Sequence, residues 1–238
     1  MKYEKIVSIL FNVVLVCCTL MIEKVVAIPV IKQLSCVDDS TIRTDSTRFI
    51  KIGLVDGRRF IARVNTEGIL TVKDTKGNLI FKEVNEEVAD AFFEDLNKDG
   101  YKDIKITYFT NVPGIENVLL YDKYKKSFKK VKGFDEYPDT HKLGTTLCYY
   151  SYHRSGCADM DWTSDLFYIK NFKCVRLGTI EGYECGDRNI KNGVYIYKIV
   201  NGKKAKIRQL NIKSIYYYKD YKWGFIKAYW TKNYKLFI

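Results

Sequence analysis

A chain of 238 residues, 47% hydrophobic and 15% aromatic, carries enough apolar material for a sizeable core, which excludes an intrinsically disordered protein. Abundant Tyr, Phe, Ile and Val with few Ala and only three Pro favours strands over helices. The formal charge of +12 points to anionic partners.

The first element is an expected export signal over residues 1–27. Met1 to Lys5 is charged, Ile6 to Ile22 is uncharged and apolar, and Val25-Val26-Ala27 supplies small residues at the usual cleavage positions. An uncleaved N-terminal anchor is the alternative, because the apolar run approaches the length of a membrane span. After cleavage no membrane span is expected, and the mature chain, 28–238, is placed in the periplasm or outside the cell. Nucleic acid is therefore not an expected partner.

Four short alternating runs follow: Phe49 to Leu54, Arg59 to Val64, Ile69 to Lys73 and Leu79 to Val84. The turns between them, Asp56-Gly57, Asn65 to Gly68 and Asp74 to Asn78, have the chemistry of a meander. Asn85 to Phe93 is the one helical candidate, and it is short for a helix.

Next comes EDLNKDGYKDIKI, residues 94 to 106. Asp95, Asn97 and Asp99 occupy positions 1, 3 and 5 of a calcium loop. Gly100 stands at position 6, Tyr101 offers its carbonyl at 7, and Asp103 stands at 9. A hard cation needs this alternation of oxygens, with Gly relieving the reversal. Position 12 departs from the pattern, since Ile106 replaces the usual bidentate Glu and Ile104, Ile106 and Tyr108 alternate as a strand. The expected cofactor is Ca2+ in a structural role, neutralising close carboxylates.

Further strands are expected at Ile104 to Phe109, Val118 to Tyr121, Phe128 to Val131, Leu147 to Tyr152 and Asp165 to Ile169. Val194 to Val200 then meets Lys206 to Ile212 across Asn201-Gly202. The fold class is all-β: an antiparallel sandwich, or a barrel-like or propeller-like domain with short hairpins.

In an exported chain, cysteines default to disulfides. Spacing suggests Cys148 with Cys157 and Cys174 with Cys185, each stapling a short loop, with Cys36 left over. A zinc site from Cys148, Cys157 and His153 is the rival, without the usual CxxC spacing.

From Gly186 to Ile238 there are 13 basic and two acidic residues, so the last quarter holds nearly all the net charge. Its Lys and aromatic residues interleave as in a pair of hairpins with one solvated face, and that pattern also suits an anionic wall polymer or a polysaccharide.

The runs FFEDLNKDGYKDIKI, VLLYDKYKKSFKKV and HKLGTTLCYYSYHRSGCADMDWTSDLFYIKN, within about Phe92 to Asn171, resemble the bacterial family of periplasmic lysozyme-inhibitor-like proteins. That family includes the invertebrate-type lysozyme inhibitors and related immunity proteins against secreted peptidoglycan-cleaving toxins. The resemblance implies a β fold and a Ser-Gly-x-Tyr loop that enters the lysozyme cleft. Ser155-Gly156 matches, and Ala158 occupies the Tyr position.

The same loop, read from its residues, is polar and aromatic: Tyr152, His153, Arg154, Ser155, Gly156, Asp159 and Asp161 form a candidate partner-binding surface. Catalytic readings are thin. Asp159, Asp161 and Asp165 could supply paired carboxylates, His153 with Cys157 a base and thiol, and no GxSxG, HExxH or phosphate-cradling motif occurs. A non-enzymatic, calcium-binding inhibitor or immunity-type protein acting on a peptidoglycan hydrolase is expected, with binding of an anionic wall polymer as the alternative.

Overall fold

The computed structural model describes residues 47–186 and 189–238. The expected signal peptide and Cys36 lie outside the described residues. Within them the chain is all-β, built from antiparallel sheets, none of which closes into a barrel, and finished by one helix.

The first sheet is the expected meander, β1 (Thr47–Val55), β2 (Arg58–Asn65), β3 (Ile69–Asp74) and β4 (Leu79–Val84), in that order. Its corners follow from turn chemistry. Asp56 and Gly57 both take positive φ, 51° and 69°, closing a two-residue hairpin between Val55 and Arg58. The Asn65 side chain accepts the amides of Glu67 and Ile69, and Asp74 accepts those of Lys76 and Asn78.

The second sheet is β5 (Val88–Glu94), β6 (Asp103–Tyr108), β7 (Glu116–Asp122) and β8 (Ser127–Lys130). The helical candidate at Asn85 to Phe93 is thus corrected to strand. Nine residues cannot hold a helix alone, whereas β6 supplies a full ladder and the core takes Val88 and Ala91 on one face.

The third sheet runs β15 (Lys203–Leu210), β14 (Gly193–Val200), β13 (Lys173–Tyr183), β12 (Asp161–Lys170), β10 (Cys148–Tyr150) and β9 (His141–Lys142). A short strand, β11 (His153–Gly156), also pairs with β12.

Period-two alternation turns these sheets into layers. On β7, Leu119 and Tyr121 join Phe60, Val72 and Ile104 in the core between the first and second sheets. Val118 and Leu120 face the other way, toward Phe134, Tyr149 and Phe167 of the third sheet's core. On β12, Phe167 belongs to that second core, while Trp162 and Leu166 point to a third, closed by the C-terminal helix. Each such side chain contributes roughly 1.5–3 kcal/mol when fully buried.

The expected pair of C-terminal hairpins is half right. Asn201-Gly202 does close β14 onto β15. The second half is instead a helix, α1 (Tyr221–Asn233), preceded by a 3-10 segment at Ile212–Tyr217. Phe225, Ile226, Tyr229 and Trp230 recur at helical spacing and bury one face, and Trp230 Nε1 donates to Ser164 Oγ at 2.8 Å in the core. The aromatic content that suggests strand is overridden by this spacing. Among the described residues, no helix is long and apolar enough to cross a membrane.

Candidate functional site

The loop between β5 and β6 is built from its own side chains. Asp95 accepts the amides of Asp99 at 3.1 Å and Gly100 at 2.9 Å. Asn97 Oδ1 also accepts Asp99 N at 3.0 Å, while Asn97 Nδ2 donates to Asp99 Oδ2 at 3.0 Å. Gly100 has φ 92°, the reversal that position 6 requires. Asp95, Asn97 and Asp99 are therefore drawn together over one short turn. The donor set is all oxygen, which fits Ca2+. No group of three or more His, Cys, Asp or Glu side chains gathers as a metal cluster among the described residues, and an amide oxygen and a backbone carbonyl would have to complete this set.

Asp103 behaves differently from its neighbours. It is 1% exposed, and its two oxygens accept the amides of Leu96 at 3.1 Å and Tyr121 at 2.9 Å, so it braces the loop against β7. Desolvation pushes its carboxyl up to about 7, against the backbone donors Tyr121, Leu96 and Asn97, and the nearby Asp99 charge adds to the rise. Tyr101 packs its ring against Tyr121 at 5.5 Å, which anchors the exit of the loop.

The expected partner loop is less of a loop than its composition suggests. His153 to Gly156 lies along β12, with Arg154 opposite Trp162 and Gly156 opposite Asp161. Beyond it the chain turns sharply: Cys157, Ala158 and Asp159 take φ of 53°, 49° and 74°. This tip is tied down from outside. Cys157 forms a disulfide with Cys185, Cα atoms 6.1 Å apart, and Asp159 accepts from the Tyr152 hydroxyl and pairs with Lys222 of α1 at 2.9 Å. Arg154, Gly156, Ala158 and Met160 are left exposed, and Ser155 is half-buried.

The disulfide overturns both pairings expected from spacing. Cys148 stands opposite Tyr168, at one end of β12, and Gly156 opposite Asp161, at the other. Seven residues of strand separate these points, roughly 23 Å. Likewise β13 runs unbroken from Cys174 to Tyr183, roughly 30 Å of extended chain. Cys148 and Cys174 are buried free thiols. The zinc alternative fails for the same reason, since Cys157 is consumed by Cys185 and stands far from Cys148.

Asp161 and Asp165 do not pair as catalytic carboxylates. Asp161, 1% exposed, accepts the amide of Glu184 at 3.0 Å and so locks the exit of β13. Asp165, 2% exposed, accepts from Thr179 at 2.6 Å and lies 3.5 Å from Arg176 Nε.

A hollow of about 460 Å³ opens beside the tip, lined by Pro113, Gly114, Asp139, Tyr152, His153, Arg154, Asp159 and Trp223. A second, of about 250 Å³, shares Asp139, Tyr152 and Trp223 with it and adds His141, Tyr150 and Lys227. Asp139 Oδ1 and His141 Nε2 are 3.2 Å apart. That contact raises the imidazole above its ordinary value and lowers the carboxyl. Sequence reasoning missed Asp139 and Lys222, and read Trp223 only as one of the interleaved aromatics of the basic C-terminal segment. Only the four-residue spacing from Lys222 to Trp230 could have exposed the helix that carries two of them.

The fold and site together define an all-β, layered antiparallel protein with a disulfide-stapled corner. No family model and no curated protein matches the sequence. A solved structure described as a Xanthomonas type IV secretion system related protein is similar over 67% of this chain and 93% of its own, at 13% identity and a TM-score of 0.45, a likeness too slight to carry an argument.

Proposed function

We propose that the chain is an exported, non-catalytic calcium-binding protein of the lysozyme-inhibitor-like kind, which blocks a peptidoglycan hydrolase by presenting the tip at residues 154–160 to the enzyme's cleft. One observation carries this reading: the tip is fixed before any partner arrives, by the Cys157–Cys185 bond and by Asp159 held between Tyr152 and Lys222. A segment ordered in advance loses little entropy on binding, and its exposed Arg154 and Met160 are available as contacts. Ca2+ would be held by Asp95, Asn97, Asp99 and the Tyr101 carbonyl, with Asp103 bracing the loop. The metal would supply charge neutralisation.

The test is hydrolysis of peptidoglycan by lysozyme-type enzymes with the chain added, in calcium and in chelator. Inhibition by the native chain, lost in Arg154→Glu with Met160→Asp at unchanged thermal stability, supports the reading. Equal inhibition by that variant refutes it.

A second reading is favoured by β15, where Lys203, Lys204, Lys206 and Arg208 stand exposed on an edge strand. It would hold an anionic wall polymer, and such binding should weaken steeply as salt rises.

A further inference from the structure

The first sheet buries one face against the second sheet, and among the described residues nothing covers the other. On β1 the outward positions are Ile50, Ile52 and Leu54, and on β4 they include Leu79 and Val84; these five are between 42% and 67% exposed. Isolated exposed aliphatics are ordinary, but a contiguous set on one flat face marks an interaction surface.

The rows across the sheet show what lies between them. Ile50 stands opposite Arg63, Arg63 opposite Thr71, and Thr71 opposite Lys82. In the next row Ile52 faces Ile61, Ile61 faces Lys73, and Lys73 faces Leu79. Leu54 faces Arg59. Cations thus sit among aliphatics, and no outward position from Ile50 to Val84 on these strands carries a carboxylate. The nearby acids are engaged elsewhere or stand at corners. Glu83 turns inward to the Tyr108 hydroxyl at 2.8 Å and to Lys130. Asp56 accepts from Tyr121 at 3.0 Å, and Asp74 caps its own turn. Glu67 stands exposed at the β2–β3 corner.

We infer that this face docks on an anionic phospholipid surface, the aliphatics entering the interfacial layer while Arg59, Arg63, Lys73 and Lys82 meet phosphate groups. Three competitors fit less well. A second copy in a two-fold contact would set four cations against the same four. A polyanionic polymer satisfies the charges and leaves Ile52, Leu54 and Val84 in water. An acidic protein surface would be expected to find aromatic anchors here, and the face has none. Only a bilayer interface offers anions and an apolar layer at matching depth.

The experiment uses the full chain with Cys17, Cys18 and Cys36 changed to Ser, so that Ile52→Cys is the one accessible thiol labelled by an environment-sensitive fluorophore. Vesicles of phosphatidylglycerol with phosphatidylcholine, and of phosphatidylcholine alone, are the probes. The inference expects a blue shift with the anionic vesicles only, reversed by high salt, and an affinity at least about tenfold lower in Arg59→Glu with Lys73→Glu. Because the N-terminal apolar segment is present in both chains, only the difference between them is read, and circular dichroism confirms that both are folded. A label indifferent to the anionic vesicles, equal binding by the charge-reversed chain, or a shift that follows protein concentration without vesicles would each overturn it. The last result would assign the face to a second copy.

Discussion

The loop at Asp95–Asp103 and the corner at His153–Asp161 are both sharp turns rich in carboxylates, and they are held in opposite ways. In the first, the bonds that set the turn run between residues two to five apart, from Asp95 and Asn97 to the amides of Asp99 and Gly100. In the second, three left-handed residues are kept in place by Cys185 and Lys222, 28 and 63 residues further along. A locally bonded turn can respond to an ion without disturbing the rest. A remotely tied corner reports the integrity of the whole third sheet and of α1.

Breaking the remote tie should cost most. Removing the disulfide in Cys157→Ser with Cys185→Ser opens a 28-residue connection and should lower stability by about 3–4 kcal/mol. Chemical denaturation measures this, and the heat of calcium binding should be unchanged, because the two regions share no bond. Breaking the local turn should cost less: without metal Asp95→Asn gives up one accepted backbone amide, about 0.5–1.5 kcal/mol, and the larger loss comes only when metal is present. Asp95→Asn should abolish the rise in melting temperature expected from the proposed Ca2+ site, which would correspond to about 2.7 kcal/mol at a hundredfold excess over Kd. Lys222→Met leaves Asp159 without its cation in a partly buried setting and should cost about 1–2 kcal/mol, with faster amide exchange confined to residues 157–160.

The smallest effect concerns the Asp139–His141 contact beside the corner. His141 is raised above its ordinary 6.5, so its contribution is complete below that pH and fades as pH rises through the folded value. Asp139 is lowered below 3.8, so its contribution is present above that pH and fades as pH falls through the folded value. Both groups are about half exposed, and after solvent screening the gain is well under about 1 kcal/mol. His141→Gln should flatten this profile in a denaturation series across pH without altering calcium binding.

The same division between local and remote explains what could be read from the sequence. Asp56-Gly57 and Asn201-Gly202 declare their hairpins because the turn conformation is written in two residues. The Asp95 loop is legible for the same reason. β13 is not, because Gly178 and Gly182 interrupt its alternation: a side chain at either would collide with the rings of Phe237 and Trp162, which lie over the strand. Those partners come from other elements, and nothing near the glycines names them. Cysteine pairing fails likewise, since spacing measures contour and β12 and β13 convert short contours into long distances. The role of Asp103 as a brace was hidden because the amide it accepts, that of Tyr121, sits 18 residues away on β7.

We propose that the fixed corner, rather than the basic edge strand, meets the partner. Amide exchange of the chain alone and with a saturating lysozyme-type hydrolase tests it most directly. Exchange should slow at residues 153–160 with residues 203–210 unchanged. Protection along residues 203–210 with the corner unaffected would contradict it.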